Sequence, residues 1–321
     1  MKHIPECFRS IFSQSYENYE VIMVDNASSD GSGDYVKKHY PQVRQIRSEI
    51  NLAYGPGNNI GADTSSGELL LFLNHDTIVT SEFLNELVKV MERHPEIGVA
   101  QSKIMMASEP GLIDSIGAYL TWTGMWVHPN HGESDEEPSS DPLQVLGTCG
   151  ASLIVRTTLF DALGGFDPDF LIYFDDLDLA WRARLMGSEA VVVPRSIVYH
   201  WGGATTQVLP SVFTVFHSFK NRLCSLLKIL TVRELVLVLP IHLAICIAGC
   251  LAYILRLKPA NGLAILRALL WNATSIRGTV DKRRRIFNTS RGDQRQSYKD
   301  LIRPLPLSYF LRTSFDYVAK W

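Results

Sequence analysis

Residues 164–203 read GGFDPDFLIYFDDLDLAWRARLMGSEAVVVPRSIVYHWGG. Four acids, Asp169, Asp175, Asp176 and Asp178, sit among aromatic and aliphatic residues rather than on an open polar face. The run from Asp175 predicts a helix that stops at Gly187, because glycine accepts the left-handed backbone of a helix C-terminus. Acids in a first turn gain from the helix dipole, so a plain charged helix start is one reading. The residues that follow argue for more. Residues 191–194 (VVVP) predict a buried strand, and His200 arrives at its far side. An acid pair and a histidine joined by a helix and a strand can face one pocket, an arrangement that suits a general base beside a divalent metal.

Upstream, the pattern alternates between strands and helices. Residues 2–16 place apolar Ile4, Cys7, Phe8, Ile11 and Phe12 at helical spacing. A strand at 21–24 leads to Asp25 and a loop of small polar residues, the place where α/β folds bind nucleotides. Asp25, Asn26 and Asp30 also suit turn and capping roles. A strand at 43–46 precedes a glycine-rich loop around Asn58 and Asn59, with Gly55, Gly57 and Gly61 letting backbone approach a ligand. The all-apolar strand Leu69–Leu73 ends in Asn74–His75–Asp76, where a carboxylate is a natural ligand for Mg2+ or Mn2+ on a diphosphate, or else closes a strand-end turn. A helix over 81–95, with Ser81 as N-cap and Pro95 as stop, is followed by a strand at 97–104. Residues 107–145 are irregular, and the acidic run 133–141 reads as a solvated loop. Order resumes with a strand at 152–155 and a helix. The sum is an α/β layer with a mixed, mostly parallel sheet flanked by helices, covering residues 1–205.

Charge is uneven along the 321 residues. Residues 256–321 hold fourteen Lys and Arg against four Asp and Glu, whereas the rest holds seventeen against twenty-nine. A basic tail behind an apolar segment favours a membrane surface over nucleic acid as partner. The five cysteines include no CxxC pair, so neither a disulfide framework nor a zinc site is expected. The first residues lack a secretory apolar stretch, which makes a reducing cytoplasmic compartment the expectation.

Residues 206–321 read as a helical, membrane-associated region. A basic amphipathic helix near 216–230 would set Lys220, Arg222 and Lys228 near lipid headgroups. Residues 235–255 carry no Asp, Glu, Lys or Arg and are long enough to span a bilayer, or to form a buried core helix. Basic residues on both flanks favour a re-entrant or interfacial hairpin, with 260–271 as the returning arm. The sequons at Asn272 and Asn288 are expected to be incidental.

Five motifs, in order, carry a resemblance: EVIMVDNASSDGS (20–32), NLAYGPGNNIG (51–61), LFLNHD (71–76), GASLIVR (150–156) and GGFDPDFLIYFDDLDLAWR (164–182). The chain resembles the family 2 glycosyltransferases of the GT-A fold, especially their rhamnosyltransferase branch, over about residues 4–203. The resemblance implies an inverting transfer from a nucleotide-diphosphate sugar to a glycan or lipid-linked acceptor at the cytoplasmic face of the membrane. It implies that Asp176 is the general base with Asp175 as partner. Asp25 would hold the nucleotide, with Asn26, Asn51, Asn58, Asn59 and Asn74 beside the nucleotide sugar. Gly150 and Ala151 would line the sugar pocket, and Asp76 with His200 would hold a divalent Mg2+ or Mn2+. Asn74 stands where the family's metal motif has its first aspartate. Relatives begin with one further strand ahead of the first helix. Without it the sheet is expected to expose strand edges, through a late start site or a truncation. The competing expectations are a catalytically inactive membrane-bound assembly subunit and a nucleotidyltransferase.

Overall fold

Ile4, Cys7 and Phe8 recur at helical spacing, and α1 (Ile4–Ile11) buries all three. The computed structural model describes residues 1–135, 140–203, 209–289 and 302–304. From α1 the chain forms β1 (Ile22–Asn26), α2 (Ser32–His39), β2 (Arg44–Ser48), α3 (Tyr54–Asp63), β3 (Leu69–Leu73), β4 (Thr77–Val79) and α4 (Phe83–Arg93). Strand β5 (Ile97–Met106) opens an excursion through β6 (Ile113–Ser115), β7 (Tyr119–Leu120), β8 (Trp126–Val127) and β9 (Leu143–Gln144). It returns as β10 (Ser152–Arg156), α5 (Thr157–Leu163), α6 (Asp175–Leu185) and β11 (Glu189–His200). Four helices close the described chain: α7 (Ser211–Ile229), α8 (Val232–Leu255), α9 (Pro259–Thr274) and α10 (Ile276–Thr289).

The central sheet runs β3-β10-β5-β11-β4, with β6 paired to β5 and β9 to β11. It is mixed, as expected, but less parallel than expected. Only β5 and β11 pair in parallel within it, and β1 and β2 do so in a separate two-stranded sheet. The physical reason is the excursion after β5. It comes back at the same end of the sheet, so β10 inserts antiparallel between β3 and β5 without a crossover helix. Among the described residues no strand pairs with the second edge of β1 or of β3.

Three local expectations are corrected. The glycine-rich stretch is the helix α3, not a loop. Its glycines are set by packing: a Cβ on Gly55 would lie 3.1 Å from Phe166, and one on Gly61 3.1 Å from Val24. Close approach overrides the poor helix propensity of glycine. Helix α4 starts at Phe83 with no side-chain cap of its own, so Ser81 is not its N-cap. The Gln14 side chain accepts from the Leu84 amide instead, at 3.0 Å.

The third correction concerns α7. Lys220, Arg222 and Lys228 are 3%, 0% and 1% exposed, which rules out headgroup contact for them. Lys228 pairs with Asp167 and Asp178, and the Arg222 guanidinium lies over the Phe219 ring. The two lysines of α7 face the acids of the 164–178 stretch, which offsets the cost of burying them along with the apolar face of the helix. Cys224, Leu226 and Ile229 of α7 share one core with Leu177, Trp181 and Leu185 of α6. The helical region thus shares one core with residues 1–205 and also has one of its own, where Val215 and Phe219 of α7 meet Cys246, Cys250 and Tyr253 of α8 and Ala264, Ile265 and Ala268 of α9. Helices α8 and α9 form a hairpin through a turn at Leu257, whose φ is 58°. Close contact is fixed at Gly262, where a Cβ would lie 3.0 Å from the Cys250 carbonyl. Part of the acidic run (136–139) and much of the basic tail lie outside the described residues.

Candidate active site

A cavity of about 1860 Å³ opens between the free edges of β1 and β3, α3, the loop before α6 and the end of β11. Of the residues singled out above, Asn26, Asn51, Asn58, Asn74, Asp76, Gly150, Ala151, Asp175, Asp176 and His200 line it. Asp25 and Asn59 do not. Asp25 accepts from the Ser28 amide at 2.8 Å and pairs with Arg47 at 2.8 Å, so both oxygens shape the turn after β1. Asn59 clamps Phe166 by donating to its carbonyl and accepting from its amide.

Asp175 and Asp176 begin α6 and are 4% and 7% exposed. Asp176 is fixed by two backbone donors, the Gly150 amide at 2.5 Å and the Leu177 amide at 2.8 Å. Burial nevertheless outweighs these bonds and raises its pKa to about 6. Burial and the Asp176 charge raise the Asp175 pKa well above the ordinary aspartate value, and among the described residues its Oδ2 has no hydrogen-bond partner. The pair is thus a carboxylate fixed by two amides beside a second acid whose charged form burial disfavours. Glycine is required at 150 because a Cβ there would lie 2.7 Å from Tyr54 Oη and 3.3 Å from Asp176 Oδ2. Tyr54 donates to the Gly150 carbonyl at 2.7 Å. The other acids of the opening stretch serve the frame. Asp178 binds Arg182 and Lys228, and Asp169 binds Lys282.

Sheet register builds the second half of the site. Pairing of β4 with β11 sets His200 opposite Thr77, next to Asp76. His200 Nε2 lies 3.5 Å from Asp76 Oδ1, and its Nδ1 lies 2.8 Å from Asp114 Oδ2 on β6. Burial alone would lower the His200 pKa; the bonds and charges of Asp114 and Asp76 raise it to about 9. Burial would raise Asp76, and the pairing with His200 lowers it. Among the described residues no three His, Cys, Asp or Glu side chains are arranged to hold a metal by themselves. Asp76 and, once a cation has displaced the proton shared with it, His200 Nε2 would hold a cation whose remaining ligands are phosphate oxygens and water, as Mg2+ sites commonly are. Asp114 is the carboxylate that orients the histidine.

The asparagines hold backbone. Asn26 donates to the Ala53 carbonyl and accepts from the Leu52 amide, and Asn51 accepts from the Ala53 amide. These bonds shape the entry to α3, where Ala53 takes φ 68°. Asn58 donates to the Tyr54 carbonyl one turn back. The Asn74 amide donates to the Ala151 carbonyl, tying the metal-side loop to the Gly150 strand.

The family model for "Glycosyl transferase family 2" matches residues 2–164, half of the chain. The chain belongs to that family. The O-antigen biosynthesis protein RfbC of Myxococcus xanthus is 30% identical over 207 residues, 61% of this chain and 16% of that protein. The N-acetylglucosaminyl-diphospho-decaprenol L-rhamnosyltransferase of Mycobacterium tuberculosis is 24% identical over 239 residues, 67% of this chain and 77% of that enzyme. The chain thus spans a small part of the first relative and most of the second. Staphylococcus aureus TarS 1–349 in complex with UDP-GlcNAc aligns with a TM-score of 0.56 at 18% identity, covering 93% of this chain and 88% of that one. The mannosyltransferase PcManGT of Pyrobaculum calidifontis with GDP-Man and Mn2+ aligns at 0.52 with 16% identity, covering 99% and 82%. This family 2 glycosyltransferase has the GT-A fold.

Two cavity residues of this glycosyltransferase escaped the sequence reading. Asp114 lies in the stretch taken as irregular; the alternation Ile113–Asp114–Ser115 was its signal, too short for a strand assignment. Tyr54 sits inside a motif read for its glycines, and only the fold brings it to Gly150.

Proposed function

We propose that the protein is an inverting glycosyltransferase that moves a sugar from a nucleotide diphosphate to a hydroxyl of a lipid-linked or glycan acceptor in cell-surface polysaccharide synthesis. The observation that carries this is the buried acid pair on the wall of a cavity that also holds Asp76 and His200. Asp176 takes the proton of the acceptor hydroxyl as that oxygen bonds to the anomeric carbon and the bond to the diphosphate breaks. Fixed by two amides, its carboxylate needs no rotamer search before reaction. Asp175, whose charged form burial disfavours, offers its Oδ2 to a hydroxyl of the sugar or acceptor. Gly150 and Ala151 let the sugar approach the backbone. Asn26, Asn51, Asn58 and Asn74 border the nucleotide side, with Asp25 and Asn59 holding the frame behind it. Asp76 and His200 would hold a Mg2+ or Mn2+ ion, which would supply positive charge to the leaving diphosphate. Rhamnose is the favoured sugar because the mycobacterial relative bears that name.

Membrane attachment is part of the reading. Among the described residues, α8 alone is long and apolar enough to cross a membrane, and only 17% of its most apolar window is buried. Val236, Leu237, Ile247 and Leu251 of α8 are exposed, as are Leu263, Leu266 and Leu270 of α9. We place this face in the cytoplasmic leaflet, where enzyme and lipid-linked acceptor share one surface. Asn272 is buried, with its amide bonded to Lys220 and Ala268, in keeping with an incidental sequon.

A second reading, a membrane-bound assembly subunit without turnover, draws on the separation of the β1–β2 sheet from β3. The test is a membrane-inclusive preparation offered dTDP-rhamnose, UDP-N-acetylglucosamine and GDP-mannose with N-acetylglucosaminyl-diphospho-polyprenol and Mg2+ or Mn2+. The account expects acceptor-dependent release of one nucleoside diphosphate and a glycosidic bond of inverted configuration. No release with any donor, beside intact nucleotide binding, favours the subunit; retained configuration removes the single-displacement mechanism.

A further inference from the structure

We infer that Asn221, on helix α7, is a positioning residue for the acid pair: its amide holds the reversed turn that presents Asp175 and Asp176 to the cavity. This deepens the transferase reading and rests on it. Tyr173 and Phe174 have φ of 64° and 70°, two successive bulky residues in the left-handed region. That region is unfavourable for residues with a Cβ and persists where surroundings over-determine it. The Asn221 side chain supplies such a constraint. It is fully buried, and its Nδ2 donates to the carbonyls of Ile172 and Tyr173, both at 2.9 Å. The next carbonyl, that of Phe174, accepts from the Asp178 amide at 2.8 Å and starts α6. Two carbonyls therefore point to α7 and the third along α6, and the reversal between them is the left-handed pair. Asn221 Oδ1 has no protein partner among the described residues, so the side chain serves here as a double donor. Its neighbour Lys220 donates to the Asp169 carbonyl of the same loop. Helix α7 lies beyond the residues matched by the family model, so nothing in that match assigns the residue this task.

The test compares Asn221→Leu, Asn221→Gln and Asn272→Leu in the full chain. Asn272 braces the Lys220 carbonyl but does not touch the loop. With the donor that the wild type uses, Asn221→Leu is expected to lose about 100-fold in kcat, the scale of a small misplacement of reacting groups. Its donor KM stays within a factor of about two, since the fault is one of orientation rather than binding. Asn221→Gln restores part of kcat, because it keeps both donors on a longer arm. Asn272→Leu lowers Tm and keeps kcat. Amide exchange across residues 172–178 rises in Asn221→Leu and not in Asn272→Leu. Unchanged exchange in Asn221→Leu, or unchanged kcat despite faster exchange, overturns the inference. Should the wild type turn over no donor, the transferase reading fails, and exchange still decides whether Asn221 holds the turn.

Discussion

Lys228→Met removes a cation from the buried cluster of Lys228, Asp167, Asp178 and Lys282. Lys228 is 1% exposed, and its Nζ lies 2.5 Å from Asp167, 2.7 Å from Asp178 and 4.5 Å from the Phe170 ring centre. Breaking a buried pair by deleting one partner costs about 3–5 kcal/mol. The remaining partners lower that cost: Asp178 keeps Arg182 and Ser225, and Asp167 keeps Lys282. About 2–4 kcal/mol remains, which at ~1.5 °C per kcal/mol for a chain of 321 residues is a Tm fall of roughly 3–6 °C. The pH dependence is the sharper readout. Burial would raise the Asp167 pKa, but Lys228 and Lys282 hold it well below the usual carboxylate range. A depressed folded pKa stabilises above the unfolded value of about 3.9 and loses that stabilisation as pH falls through the folded one. Without Lys228 much of the depression disappears. The Tm gap between wild type and variant should therefore be widest near neutrality and shrink below about pH 4. Thermal melts in mild detergent from pH 7 down to 3.5 measure it. A fall under about 3 °C, or a gap that does not narrow on acidification, refutes the assignment of Lys228 as the cluster's central cation.

Turnover by the wild type should rise with pH through about 6 and level off above it, because Asp176 must be ionised to accept a proton; a flat acid limb in a pH–kcat profile contradicts this. Asp175→Asn should keep most of kcat, since an amide of the same size keeps a hydrogen-bonding atom where Oδ2 stands; a loss equal to that of Asp176→Asn would move the base to Asp175. Gly150→Ala should cut kcat at least tenfold and destabilise by about 1–3 kcal/mol, as overpacking does, because its Cβ meets Tyr54 Oη at 2.7 Å. Leu237→Glu with Leu251→Glu should shift the protein from the membrane pellet to the supernatant after ultracentrifugation without altering its secondary structure, since both side chains are exposed.

The site was legible in the sequence to the extent that its residues sit in short motifs whose geometry is local. Asp175, Asp176, Asp76 and His200 each stand at the end of a strand or the start of a helix, and hydrophobic periodicity located those ends. The pairing of His200 with Asp76 follows from the β4–β11 register, which no local pattern encodes. Asp25 shows the opposite case. Its place after a strand suited a ligand and a turn equally, and its two oxygens bond the turn and an arginine 22 residues on. Helix α3 was missed because glycine argues against helices, and the close packing that demands glycine there is tertiary. Helix α7 was misread for a related reason. Its lysines were taken as solvent-facing, and the acids that draw them inward lie some fifty residues earlier.

The central claim is that Asp176 removes the acceptor proton in a transfer reaction. The most direct measurement is acceptor-dependent nucleoside diphosphate release by Asp176→Asn against wild type, with nucleotide binding followed by calorimetry on the same preparations. The account predicts a loss of about 10²–10⁴-fold in kcat, unchanged nucleotide affinity, and a small Tm change, because the amide oxygen still satisfies one of the two backbone donors. Near wild-type turnover by Asp176→Asn would contradict it.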